Sequence, residues 1–274
     1  MTFSIVAFDP ATQSWGVAVA SKFLAVGALV PWGSAGAGAV ATQAMANLSY
    51  GPRGLELLAR GAPAEAVVKE LTAADPERDH RQVGVVDSFG AAATFTGASC
   101  HEWAGGVTGE EFAAQGNILK GPGVVDAVAR AYRSSTEDFA RRLLGALAAG
   151  DEAGGDRRGR QSAALRVWRA GAAYGGELDL ALDLRVDDDA APVAELQRLL
   201  ALHELYFGTP DPATLLALEG ELAVRVTEAL KVLGYEGAAA LESWAGVENF
   251  EERLVPGKID PLVWEQLQGK AERA

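Results

Sequence analysis

Cysteine is nearly absent from this sequence, with Cys100 the single example in 274 residues. An intramolecular disulfide is therefore excluded, and a zinc site would need other ligands. The chain also has no basic leader followed by an apolar run, and no apolar stretch long enough to span a bilayer. These absences predict a cytoplasmic location, without a secretion signal or a membrane-spanning helix.

Positive charge is scarce as well. Lys and Arg number 24 against 37 Asp and Glu, which gives a formal net charge of −13. A field of this sign repels nucleic acid phosphates and anionic lipid, so neither nucleic acid nor a membrane is expected as a partner. Hydrophobic residues, at 49%, are numerous enough to fill a core, which disfavours intrinsic disorder.

Motifs for cofactors and metals are weak. Residues 36–41 (GAGAVA) match the glycine pattern of dinucleotide-binding loops, but no amphipathic helix and no βαβ unit surround them. Cys100 and His101 are adjacent, yet they lack the further spaced ligands that a metal site needs. We therefore expect no cofactor and no bound metal.

A serine triad is also weakly supported. None of the candidate serines lies in a G-x-S-x-G pattern, and the three histidines are scattered along the chain. The serines are Ser4, Ser21 and Ser162, and the histidines are His80, His101 and His203.

The secondary-structure pattern groups helices between pairs of strands. Short β-rich runs at 3–8 and 16–22 predict a hairpin, and runs at 81–87 and 91–97 predict a second one. Because strict βαβ alternation is absent, the pattern favours an α+β fold with two antiparallel sheets between helical layers. The other expected elements are strands within 26–43, 163–168 and 179–186. Two helices are expected within 55–71, interrupted near 61–63, a helical stretch at 124–149, broken near 134–136, and a helix at 192–205.

A break at residues 208–212 (GTPDP) has the composition of a linker. The chain beyond it repeats leucines and valines on one helical face, which predicts a small helical unit. The sequence therefore predicts two domains, at residues 1–206 and 209–274. The Ala/Gly-rich sheet segments and leucine-rich helices are compatible with a homodimer.

Several segments between residue 2 and about residue 200 resemble one known family. They include TFSIVAFDP, GVAVASKFLAVGALVPW, RQVGVVDSFGAAATFTG and GGDRRGRQSAAL. The family is the domain of unknown function 1028, which is placed by its fold with the N-terminal nucleophile (Ntn) hydrolases. The resemblance implies a four-layer αββα sandwich. In the tail, KVLGYEG, LESWAGVENFEER and KIDPLVWEQL resemble a short module named for peptidoglycan binding.

The Ntn mechanism requires a Ser, Thr or Cys at the mature N-terminus, because the free α-amine is the base that activates its own side chain. Thr2 meets this requirement once Met1 is removed, and an α-amine with a pKa of about 7.7 to 8.0 is partly neutral at pH 7. Lys22 ends the neighbouring strand, and in proteasome-type relatives such a lysine lowers the pKa of the nucleophile. The alternative is that Thr2 only starts a strand and that Lys22 is a solvated strand end.

Asn117 lies between an inferred strand and a helix start, where an oxyanion hole could form, although a plain helix N-cap has the same composition. Polar residues of the Gly-rich segment around 154–162 predict a pocket wall rather than an exposed loop. The substrate-binding candidates are Ser21, Thr42, Gln43, Asp156, Arg158, Gln161 and Ser162.

The expected function is therefore hydrolysis of a small amide or peptide-like substrate by Thr2, Lys22 and Asn117. Two alternatives remain: a ligand-binding protein without catalysis on the same scaffold, and a cell-wall binder that acts through residues 209–274. Trp244 and Trp264 could stack on sugars there, or form the core of the module. The tail carries 12 acidic against 6 basic residues, which disfavours binding to peptidoglycan.

Overall fold

The computed structural model describes residues 2–173 and 175–274. It confirms the α+β class and the four-layer sandwich. The chain divides into two compact units, the first ending at Arg198 and the second running from Leu199 to Ala274. This division falls within one helix, and the domain boundary expected at residues 206 to 209 stays a prediction.

Twelve strands and eight α-helices form the described part of the chain. The strands are β1 (Thr2–Asp9), β2 (Ser14–Ser21), β3 (Pro31–Ser34), β4 (Gly38–Ala44), β5 (Arg81–Asp87), β6 (Ala92–Thr96), β7 (Gly105–Gly109), β8 (Phe112–Asn117), β9 (Ser162–Trp168), β10 (Leu180–Val186), β11 (Leu216–Ala217) and β12 (Lys258–Ile259). The helices are α1 (Tyr50–Ala59), α2 (Ala64–Ala73), α3 (Gly123–Ser134), α4 (Phe139–Glu152), α5 (Pro192–Phe207), α6 (Gly220–Val232), α7 (Ala240–Val247) and α8 (Pro261–Ala271).

Two antiparallel sheets form the inner layers of the first unit. One has the strand order β10-β9-β2-β1-β8-β7, and the other has the order β3-β4-β5-β6. Helices α3 and α4 pack on the first sheet, and α1 and α2 pack on the second. The strands that touch across the sandwich include β1 with β4 and β5 with β8.

Strand β1 is buried on both faces, which explains its nearly continuous apolar sequence. Val6 and Phe8 point toward the second sheet and share a cluster with Ala41 of β4. Phe3 points the other way, because a Cβ added to Gly150 of α4 would lie 3.0 Å from its ring. Thr2 and Ser4, four and two residues before Val6, belong to the inter-sheet face.

The segment before α3 differs from the sequence-based expectation. Asn117 is the last residue of β8, and α3 begins only at Gly123, so Asn117 is not a helix N-cap. Strand β7 was not predicted, because its sequence (GGVTG) has little β-propensity. Its backbone hydrogen bonds to β8 hold these residues in an extended strand that their own β-propensity does not favour.

The second unit has its own core around Trp244, whose side chain is 1% exposed, with Phe250 and Leu267. Trp244 is therefore a core residue and cannot stack on an external sugar. Trp264 is partly exposed, and the centroid of its ring lies 5.2 Å from the Arg225 guanidinium carbon. Asp260 is buried, pairs with Arg253 and caps α8. No helix among the described residues has the length and apolar character needed to cross a membrane.

Candidate active site

Thr2 begins β1 between the ends of two neighbouring strands. It pairs with Asn117 of β8, and Phe3 pairs with Ala20 of β2, so Thr2 also lies beside Ser21. The Thr2 Oγ1 and Ser21 Oγ atoms are 3.1 Å apart, within hydrogen-bond distance. All three polar residues are buried, with Thr2 6% exposed and Ser21 and Asn117 each 2% exposed.

A network of buried amides lies between the sheets beside Thr2. Gln43 Nε2 donates to Gln82 Oε1 at 2.8 Å, and Asn117 Nδ2 donates to the same oxygen at 2.9 Å. Both nitrogens also approach the Thr2 carbonyl oxygen, at 3.4 Å from Gln43 and 3.5 Å from Asn117. The network thus holds the first peptide of β1 from the opposite sheet.

The same network extends along β1 to Ser4. Ser4 Oγ donates to Gln43 Oε1 at 2.7 Å and accepts from Gln115 Nε2 at 2.7 Å. Gln115 needs the space left by Gly84, because a Cβ at that position would lie 2.1 Å from its Oε1. Buried amides that are satisfied in this way fix side-chain orientation, since any rotation would leave a polar group without a partner.

Lys22 follows directly on β2 and is exposed. Its backbone N–H donates to Asp156 Oδ2 at 2.7 Å. Asp156 also accepts the Arg158 backbone N–H at 2.8 Å and pairs with the Arg158 guanidinium at 3.3 Å. Asp156 therefore ties the Gly-rich loop after α4 to the end of β2.

Three other candidates make their side-chain hydrogen bonds elsewhere. Ser162 accepts the Val26 N–H at 3.1 Å and donates to the Phe23 carbonyl at 2.5 Å, so it holds the turn after β2. Thr42 donates to the Asn47 carbonyl, and Gln161 donates to the Asp188 carboxylate. The structure thus groups Thr2, Ser21, Gln43 and Asn117 in one cluster and links Lys22 with Asp156 and Arg158 in a second.

A cavity of about 630 Å³ opens beside the end of β8. One wall is the loop from Gly154 to Arg160, and the other contains Trp103, Leu119 and Lys120. Leu119 forms a β-bridge with Asp156, so the two walls meet at the residue that holds Lys22. Leu119 lies two residues beyond Asn117, the strand partner of Thr2. Among the described residues, no group of three or more His, Cys, Asp or Glu side chains could hold a metal ion.

Comparison with known proteins gives a consistent picture. Residues 2–196 match the model of the "Family of unknown function (DUF1028)". The chain belongs to this family. Residues 206–267 match the model described as "Putative peptidoglycan binding domain". Both resemblances seen in the sequence are thereby confirmed.

A solved structure supports the same assignment. The crystal structure of protein SPO2555 from Silicibacter pomeroyi, a DUF1028 member, is 32% identical to this chain and superposes with a TM-score of 0.68. The match covers 82% of this chain and 92% of that one. Comparison with curated proteins found no match.

Several cavity residues of this DUF1028 member escaped the sequence reasoning. Arg157 and Arg160 lie in the same RRGR run as Arg158 and carried a usable signal, since all three belong to one Gly-flanked loop. Trp103 and Lys120 had no sequence signal that links them to this loop, because they become its neighbours only through backbone pairing after β8. The role of Gln82 in the network beside Thr2 was also not predictable from the sequence, because Gln82 is a strand residue far from Thr2 along the chain.

Proposed function

We propose that this protein is an Ntn-type amidohydrolase whose nucleophile is Thr2, exposed by removal of Met1. The observation that carries the proposal is the position of the Thr2 hydroxyl. It lies 3.1 Å from the Ser21 hydroxyl, beside Asn117, at the strand end that leads into the cavity wall. A threonine that merely starts a strand would not need buried polar neighbours such as Ser21 and Asn117.

The chemistry uses groups of the chain alone. The neutral α-amine of Thr2 takes the proton from Oγ1 as this oxygen forms a bond to the substrate carbonyl carbon. The amide C–N bond then breaks, and the proton passes to the leaving amine. Water hydrolyses the resulting ester by the same path, and this step restores the free hydroxyl.

The neighbours of Thr2 have supporting roles in this proposal. Ser21 Oγ can hold the Thr2 hydroxyl in one rotamer or relay its proton. Lys22 is assigned the positive charge at the end of β2. Backbone N–H groups, together with the second Asn117 N–H that is held only weakly at the Thr2 carbonyl, are assigned the stabilisation of the oxyanion. Of the substrate-binding candidates, Arg158 keeps this role through its partly exposed side chain, whereas Gln43 and Asp156 position Thr2 and the loop.

The decisive experiment compares two forms of the full chain that differ only at the N-terminus. One form is released from a ubiquitin-like fusion so that Thr2 is the first residue, and the other keeps one Gly before Thr2. Both are assayed on small amides, acylated amino acids and short peptides. Turnover by the first form alone supports the proposal, because the extra Gly removes only the free amine of Thr2.

The non-catalytic alternative makes a different forecast in the same experiment. A binding protein would bind the same compounds equally in both forms and would hydrolyse none of them. Intact-mass measurement of the protein purified from cells adds an independent check. Full retention of Met1 in the native host would contradict the Ntn proposal and favour a ligand-binding role.

The second unit adds a further candidate, binding to peptidoglycan, which the family match at residues 206–267 favours. Its charge opposes this role, since acidic residues outnumber basic ones two to one in the tail. We propose a cytoplasmic enzyme and regard cell-wall binding as the weaker candidate. A homodimer stays part of the proposal and is tested by light scattering of the full chain.

A further inference from the structure

We propose that the cavity beside β8 binds the anionic group, a carboxylate or a phosphate, of a small substrate. The cations of the proposed site are Lys120 and Arg157. The assignment of this ligand as a substrate rests on the proposed function, whereas anion binding itself does not. The argument starts from how the backbone places these two residues.

Lys120 and Arg157 lie on two segments that pair with each other. The Lys120 backbone N–H donates to the Gly155 carbonyl at 3.2 Å, and the Arg157 N–H donates to the Ile118 carbonyl at 3.4 Å. The Leu119–Asp156 bridge lies between these two bonds. The two cations therefore lie at diagonal positions of one short ladder, on either side of the Leu119–Asp156 bridge, and line the same cavity.

Gly154 leaves the space in which the Lys120 side chain lies. A Cβ at Gly154 would lie 2.9 Å from the Lys120 Cδ, and Gly154 has a φ of +115°, which a side chain would rarely tolerate. The absence of a side chain lets the aliphatic stem of Lys120 lie across the loop. The ammonium group can then stay at the cavity while the stem is packed.

The other charges of the cavity are largely neutralised. Arg160 Nε donates to both carboxylate oxygens of Asp151 at 2.8 Å. Asp156 is satisfied by backbone N–H groups and by Arg158. Among the described residues, no ion pair involves Lys120, Arg157 or Glu102, so the uncommitted groups carry a net charge of about +1.

A local positive charge is unusual in a chain with a net charge of −13. A cleft lined by uncommitted cations concentrates small anions, and the planar fork of Arg157 suits two oxygens of one carboxylate or phosphate. A volume of about 630 Å³ accommodates a small molecule rather than a polymer. Trp103 forms part of the wall and offers a flat surface to an apolar or aromatic substituent.

The test uses ligand pairs that differ only in charge. Binding of N-acetyl-phenylalanine is compared by calorimetry with that of its uncharged amide, and phenyl phosphate replaces the acid in a third arm. We expect the acid to bind about tenfold more tightly than the amide, the gain typical of one charge-assisted hydrogen bond pair. The phosphate arm decides which anion the cavity prefers.

Two double variants complete the design. K120Q/R157Q should lower the affinity for the acid to that for the amide, whereas K69Q/R130Q, which removes the same charge from exposed helix positions, should not. Equal affinity of acid and amide, or an equal loss in both double variants, would overturn the proposal. Because binding is measured on the Gly-extended form, failure of hydrolysis and failure of anion binding are separate results.

Discussion

Thr2 and Asn117 lie opposite each other in the β1–β8 ladder, and the Asn117 Nδ2 is 3.5 Å from the Thr2 carbonyl oxygen. The same nitrogen donates at 2.9 Å to Gln82 on the other sheet. The nucleophile candidate is therefore held by both sheets of the sandwich. This arrangement makes its chemistry and its structural support separable by mutation.

Replacing Thr2 by Ala removes the proposed nucleophile and one hydrogen bond to Ser21. We expect Thr2→Ala to abolish turnover of the form that begins at residue 2, while the free energy of unfolding falls by only about 1 kcal/mol. Thr2→Ser should retain measurable activity, because it keeps a hydroxyl on the same atom. Urea unfolding and steady-state assays check the two parts, and full activity of Thr2→Ala would exclude Thr2 as the nucleophile.

Lys22 offers a clean test of charge. Its structural hydrogen bond to Asp156 is made by the backbone N–H, so Lys22→Ala keeps this bond while it removes the exposed stem and its ammonium. We expect turnover to slow by roughly 100-fold, which corresponds to about 3 kcal/mol of transition-state stabilisation. Lys69→Ala is the matched control on α2 and should leave the rate unchanged. A Lys22→Ala rate within twofold of wild type would show that Lys22 is only a solvated strand end.

Gln82 accepts from Gln43 and Asn117 with one oxygen, so its loss leaves two buried amides with only their long contacts to backbone carbonyls. Gln82→Met keeps the length of the side chain and should lower the free energy of unfolding by about 3 kcal/mol. The exposed Gln197→Met on α5 should change it by less than about 0.5 kcal/mol. Denaturant titration compares the two. Similar stabilities would mean that water or rearrangement replaces Gln82.

Asp75 predicts a pH dependence of stability. Burial alone would raise its pKa, but hydrogen bonds from Asn47, Arg81, Tyr50 and the Glu77 backbone hold that pKa well below its ordinary value of 3.8. The native state therefore binds fewer protons than the unfolded state. The contribution of Asp75 is fully present above about pH 4 and is lost as the pH falls below it.

We expect Asp75→Asn to be less stable than wild type at pH 7 and to lose less stability between pH 5 and pH 3. Urea unfolding at the two pH values measures the difference. Glu70→Gln removes an exposed carboxylate from α2 and should leave the pH dependence unaltered. Parallel pH curves for wild type and Asp75→Asn would show that Asp75 does not titrate as its contacts indicate.

Binding to the cell wall can be tested on the full chain. We expect no saturable pull-down on purified peptidoglycan at physiological salt, because the second unit and the whole chain are acidic. Trp264 is the aromatic residue to change, since it is partly exposed whereas Trp244 is a core residue. Saturable binding that Trp264→Ala removes would contradict this expectation and would favour the cell-wall candidate.

Local sequence determined much of the fold. The β1–β2 hairpin follows from two β-rich runs joined by a turn, and α1 and α2 follow from their apolar periodicity, because these signals act between residues close in the chain. The break between α3 and α4, which the structure has at residues 135–138, was predicted near 134–136 from the Ser-Ser-Thr run. Thr2 and Lys22 could be proposed because the family resemblance assigns roles to the first residue and the neighbouring strand end.

Tertiary structure alone decided which polar groups meet. Gln82 reaches Asn117 only because the two sheets stack, and Lys120 and Arg157 line one cavity only because the chain after β8 pairs with the loop after α4. Such contacts join residues tens of positions apart, where periodicity carries no information. Asn117 became a buried strand end rather than a helix cap for the same reason, since pairing with β1 outweighs the local preference of a Gly-Asn sequence.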